Sequence, residues 1–118
     1  MTRPPSELRT LAGLRRGIDR LDRRLVVLLA ERQRLVEAIA MVKADPGAVR
    51  DPARVSRVLA NVLEAATAAR LCPATARAVW RVLVECSTAH QVAWLRRNTI
   101  GSRAPRTRDP RPGGPLDI

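Results

Sequence analysis

The stretch from Leu11 to Lys43, LAGLRRGIDRLDRRLVVLLAERQRLVEAIAMVK, decides the fold. Its apolar residues Leu11, Leu14, Ile18, Leu21, Leu25, Leu28, Leu35, Ile39 and Val42 follow steps of three and four, with a single gap. That rhythm places them on one stripe of an α-helix. The helix is expected to run from about Ser6, a fair N-cap without a full capping box, to Ala44. Asp45-Pro46-Gly47 should stop it, because the residue before proline resists the α region and glycine accepts positive φ. Roughly 40 residues at about 1.5 Å each make a rod close to ~60 Å long. A compact chain of 118 residues is only about 25–30 Å across. Such a helix outgrows its own chain, so the sequence requires a partner.

Two further helices follow. Asp51-Pro52 reads as an N-cap followed by proline at the first helical position, and Val55, Val58, Leu59, Val62, Leu63 and Ala66 form a stripe ending near Arg70. Pro73 opens the third, which passes Val79, Leu83, Cys86, His90 and Trp94 to about Arg97. From Gly101 the tail GSRAPRTRDPRPGGPLDI carries four prolines, three glycines and no periodicity, the composition of a disordered segment. The expectation is an all-α domain over residues 6–100 and a disordered tail over 101–118.

Composition agrees with helices packed on helices. Hydrophobic residues make up 46% of the chain, but aromatics only 2%, being Trp80 and Trp94 without Phe or Tyr; the core must be Leu, Val, Ile and Ala. No apolar run approaches the roughly 18–20 residues of a membrane span, and Met1 to Leu8 lacks a signal-peptide core, so a soluble, cytoplasmic protein is expected. Cys72 and Cys86 have no metal-ligand spacing, and one histidine cannot complete a zinc set. Both thiols are expected to pack as small buried hydrophobes. The net charge of +11 raises the question of nucleic acid. Scattered arginines without stacking aromatics or a nucleic-acid motif argue against it, and an anionic small molecule responds to the same field.

Polar residues that interrupt the stripes are the candidate site. Arg32 occupies the gap in the first stripe, where a charge is costly unless it is paired. Arg32 meets a bound anion, pairs internally with Glu31 or Glu64, or snorkels to solvent. Lys43 lies three turns on, about 16 Å away with roughly 20° of rotation, so the two side chains face one side. Of the 22 Lys and Arg residues, only Lys43 is a lysine; an ammonium suits a single oxygen, whereas a guanidinium prefers the two oxygens of a carboxylate. Arg15 stands about 25 Å from Arg32 along the same helix, so a small ligand touching both must take Arg15 from a second subunit. Ser87 and Gln91, four apart, share a face of the third helix. They are either a hydrogen-bonded core pair or neutral donors to a ligand. Asp51 and Arg54 open the second helix, Asp51 as a plain N-cap and Arg54 as a solvated side chain if neither binds anything.

No glycine-rich phosphate loop, acid–base carboxylate pair or nucleophile–base–orienter set is present; His90 is the one histidine available as a base. Catalysis would have to come from positioning and fixed charge.

The Leu11–Lys43 run, followed by VRDPARV and LVECSTAHQ, resembles the helical AroQ class of chorismate mutases over about residues 8–97. The R-x-x-I-D-x-L-D pattern from Arg15 to Asp22 and the pair Glu31-Arg32 carry the likeness together. The resemblance implies an intertwined three-helix homodimer with two equivalent active sites and no cofactor or metal. It implies that Arg15 reaches the substrate carboxylate of the other subunit and that Arg32 binds a carboxylate in its own. Lys43 and Gln91 would donate to the ether oxygen, Arg54 and Ser87 would line the carboxylate end, and Asp51 would contact the ring hydroxyl. The reaction implied is the Claisen rearrangement of chorismate to prephenate.

One departure bears on the substrate. After Arg54 the class carries a glutamate that helps bind the ring hydroxyl; this chain has Val55. The link before Asp51 is also one residue shorter. Arg-Val is closer to two relatives on the same scaffold, isochorismate pyruvate-lyase, which forms salicylate, and 4-amino-4-deoxychorismate mutase. Chorismate mutase remains the first reading, these two the alternatives. A non-catalytic basic helical dimer that binds nucleic acid or an acidic partner is the reading from a different class, and steeply salt-dependent binding to duplex DNA would mark it.

Overall fold

The computed structural model describes residues 9–103; Ser6 and the segment 104–118 lie outside them. The architecture is all-α: helix α1 over Leu11–Lys43, a 3-10 turn over Pro46–Ala48, α2 over Pro52–Ala69 and α3 over Pro73–Arg103. Among the described residues there is no strand, and no helix is long and apolar enough to cross a membrane.

Helix starts follow the expected chemistry. Asp51 caps α2, its carboxylate accepting the backbone N–H of Arg54 at 3.1 Å with Pro52 in the first turn. Pro73 opens α3. At the head of α1 the hydroxyl of Thr10 accepts the N–H of Gly13 at 2.9 Å, satisfying one of the donors that a helix start leaves orphaned.

Helix ends depart from expectation in two places. Gly47 was the residue expected to take positive φ, yet among the described glycines none has it, and Ala44 takes it instead at φ 60°. The Ala44 N–H returns to the Ala40 carbonyl at 2.8 Å, the single bond of an αL ending, so the chain leaves the helix immediately after Lys43 and three residues before Gly47. Asp45 is then extended, at φ −138°, as a residue before proline should be. The third helix was expected to stop near Arg97 but continues to Arg103, including the first three residues of the expected tail. Within this stretch the Asn98 side-chain amide donates to the Trp94 carbonyl at 2.7 Å.

The chain divides into two compact units, residues 1–34 and 35–118. In the first, α1 is uncovered: Leu11, Leu14, Ile18, Leu21, Leu25 and Leu28 are all exposed, Leu21 by 55%. In the second, α2 packs on α3 and the 3-10 turn packs on α3. Among the described residues the buried apolar ones are Ala40, Val49, Ala66, Ala76 and Leu95, and Val92 and Trp94 flank the Ala40–Val49–Leu95 cluster. Three of these five are alanines, whereas burying a Val or Leu side chain contributes about 1.5–3 kcal/mol. Many large apolar side chains, Leu21, Leu25 and Leu28 among them, are instead exposed.

The cysteines correct a second expectation, for both Cys72 and Cys86 are exposed. Cys72 stands just before Pro73 at the mouth of α3, where backbone and side-chain hydrogen bonds from Thr75 and a backbone bond from Ala74 hold its thiol below the usual range.

Candidate active site

Arg15 and Arg32 belong to the first unit. Arg15 is exposed on α1, and Arg32 is half-buried although its stripe neighbours Leu28 and Leu35 are exposed. Beside the stripe, Leu14, Gly17, Ile18, Arg20, Leu21 and Arg24 line an open, mainly apolar concavity.

The other six candidates belong to the second unit. Lys43 ends α1 half-buried, and its ammonium donates to the Ala48 carbonyl at 3.2 Å. This contact spans the turn, which is tightened further by the Gly47 N–H donating to the Asp45 carboxylate at 3.0 Å. Asp51, Arg54 and Val55 come together through helix initiation, since the N–H of Arg54 reaches the Asp51 carboxylate and the N–H of Val55 reaches the Asp51 carbonyl at 3.0 Å. The Arg54 side chain is exposed and Val55 is half-buried. Asp51 thus performs its capping role whatever else it binds.

Ser87 and Gln91 are both half-buried on α3. The Gln91 amide donates to the Val36 carbonyl of α1 at 2.8 Å. Lys43 and Gln91 each hydrogen-bond a backbone carbonyl rather than one another, so each amine or amide nitrogen is held in place with further N–H groups to offer. Lys43 thus offers a positive donor at the end of α1 and Gln91 a neutral donor on α3, the two kinds of N–H that an anionic oxygen accepts.

One contact escaped sequence reasoning. His90 Nε2 and the Glu37 carboxylate are 2.7 Å apart, with side chains only 26% and 16% exposed. The His90 ring lies 6.2 Å from that of Trp94, and Arg97 stacks 5.9 Å from the other ring. The histidine had been placed on the α3 stripe, but nothing local marks Glu37 as its partner across 53 residues of chain. A single histidine among apolar neighbours was the available signal. Among the described residues no group of His, Cys, Asp and Glu has the arrangement to hold a metal ion.

Comparison with known proteins gives one result. A family model described as chorismate mutase type II matches residues 14–92. No curated protein and no solved structure matches the chain. The matched span contains all eight candidates, from Arg15 to Gln91.

Proposed function

The chain belongs to the chorismate mutase type II family, and from that premise we propose that it works as a homodimer rearranging chorismate to prephenate. The family carries chorismate mutase-type chemistry on a chorismate-like substrate; the residue roles and the dimer are our reading. The observation that carries the reading is that Arg15, Arg32, Lys43, Asp51, Arg54, Ser87 and Gln91 all fall inside the matched span.

A Claisen rearrangement is internally balanced: the ether C–O bond breaks as a new C–C bond forms, and no proton or electron is exchanged with the protein. It therefore needs neither nucleophile nor base, only a held conformation and charge matched to the transition state. In this reading Arg32 binds one substrate carboxylate and Arg15 serves the substrate of the partner subunit. Arg54 and Ser87 complete the carboxylate end, and Asp51 takes the ring hydroxyl. Lys43 and Gln91 donate to the ether oxygen as negative charge grows on it, each contributing about 3–4 kcal/mol to lowering the barrier. No cofactor enters. The uncovered stripe of α1 supports the dimer, since a second copy would bury it.

Val55 supports a second reading. An apolar side chain cannot hydrogen-bond a ring hydroxyl, so isochorismate pyruvate-lyase and 4-amino-4-deoxychorismate mutase chemistry remain the alternatives at the same site. Incubating the protein separately with chorismate, isochorismate and aminodeoxychorismate distinguishes them. Prephenate from chorismate alone supports the mutase; salicylate or aminodeoxyprephenate as the dominant product overturns it.

A further inference from the structure

We propose that His90 and Glu37 form a clasp whose task is to position Gln91, making both of them positioning residues for the reaction. The inference rests on the reading of Gln91 as an ether-oxygen donor. It starts from a juxtaposition: neighbouring residues on α3, His90 and Gln91, reach neighbouring residues on α1, Glu37 and Val36, at 2.7 and 2.8 Å.

The two ties differ in strength. Gln91 to Val36 is a neutral amide on a backbone carbonyl, and helical geometry already supplies that carbonyl with the N–H of Ala40. His90 to Glu37 is a hydrogen bond to a charged acceptor, shorter and stronger in kind. In the Nε2–H tautomer the neutral ring donates to the carboxylate just as the protonated ring does. Both partners are mostly shielded from water, which strengthens the bond further. The Trp94 ring beside His90 restricts the imidazole, and Trp94 is itself packed against the Ala40–Val49–Leu95 cluster. The strong tie thus fixes where α3 stands against the last turns of α1, and the weak tie then selects the direction of the Gln91 amide. With one N–H held by Val36, the second N–H is oriented before any substrate arrives. Transition-state donors act best when so preorganised.

The test uses the full chain and a double-mutant cycle. His90→Leu should lower kcat by about tenfold to a hundredfold, the loss expected for a misplacement near 1 Å, while KM changes less than about threefold. His90→Gln, whose amide nitrogen reaches as far as imidazole Nε2, should recover most of the loss. In a Gln91→Ala background His90→Leu should add almost nothing, because its effect passes through Gln91. Glu37→Leu should reproduce His90→Leu. The Gln91 side-chain amide resonance, assigned by its disappearance in Gln91→Ala, should shift in both variants without substrate. Equal losses with and without Gln91 would show a merely structural role and overturn the inference, as would an unmoved Gln91 resonance. If His90→Leu does not fold, Glu37→Ala, which leaves no acceptor for the imidazole, decides it with the same resonance and kinetics. Wild-type turnover with an unaffected His90→Leu defeats the clasp alone; a wild type inert on all three substrates defeats the functional reading and the clasp with it.

Discussion

The ammonium of Lys43 reaches forward five residues and donates to the carbonyl of Ala48 at 3.2 Å, so the last residue of α1 also closes the turn behind it. The bond is exposed, and a net contribution of about 0.5–1.5 kcal/mol is the most it should make to stability. If Lys43 is a transition-state donor, its kinetic weight is far larger. Lys43→Ala should therefore lower kcat by about 10²–10³ while the thermal midpoint moves by only a few degrees and the dimer persists. Lys43→Arg should fail to restore the rate, because a planar fork does not replace a point donor. Steady-state kinetics beside calorimetry on the same variants checks this; unchanged turnover in Lys43→Ala removes Lys43 from the mechanism.

How far the sequence led depended on how local each feature is. Three helices were legible because the stripe of Leu14, Ile18, Leu21 and Leu25 is periodic and Pro52 and Pro73 mark starts. Arg32 was legible as a gap in that period and is half-buried. What the sequence hid were features set by hydrogen bonding or by packing between helices. Ala44 takes the left-handed position directly after the helix, although Gly47 was the better residue for it. The Glu37–His90 pair joins positions that no periodicity links. Cys72 and Cys86 were judged by the average burial of cysteine rather than by their places, one just before α3 and one on its exposed side.

Oligomerisation offers a sharp contrast, because Leu21 is 55% exposed in the single chain. Leu21→Asp should be nearly harmless to an isolated protomer, where Arg24 could even pair with the new carboxylate along the helix. In a dimer that buries the stripe the same carboxylate would be stranded in an apolar interface, at a cost of several kcal/mol. Sedimentation equilibrium should give the wild type twice the 13.0 kDa chain mass and a thermal midpoint that rises with concentration. Leu21→Asp should abolish both. A wild type that sediments as a single chain would dismiss the shared site.

Arg70 ends α2 in the left-handed region at φ 63° and ψ 35°, the position that glycine most often fills. The N–H of Leu71 returns to the Ala66 carbonyl at 2.8 Å and that of Arg70 to the Thr67 carbonyl at 3.2 Å, the paired bonds of a Schellman ending. A residue with a Cβ loses about 1–2 kcal/mol in that conformation, part of which glycine gives back through its freer unfolded chain. Arg70→Gly should therefore stabilise the protein by about 0.5–1 kcal/mol, read as a higher urea midpoint with an unchanged slope. Destabilisation would mean that the Arg70 side chain makes a contribution larger than the strain.

Cys72 makes a prediction about pH. Hydrogen bonds from the Thr75 backbone and side chain and from the Ala74 backbone lower its pKa below the ordinary 9.0, against a small opposing effect of burial. They favour the thiolate, which is the nucleophile. In a Cys86→Ser background, the rate of alkylation by iodoacetamide should rise with pH through an inflection below that of a free thiol. Thr75→Val removes the hydroxyl but keeps the backbone bonds, so the inflection should move upward only part of the way. The linkage sign follows: a folded-state pKa lower than the unfolded one contributes stability above the unfolded pKa, and the contribution disappears as pH falls through the folded value. Unfolding free energy should accordingly rise more steeply between neutral and alkaline pH in the Cys86→Ser protein than in its Cys72→Ser derivative. Parallel pH profiles for the two, or an alkylation inflection at the free-thiol value, would mean that the mouth of α3 does not hold the thiolate.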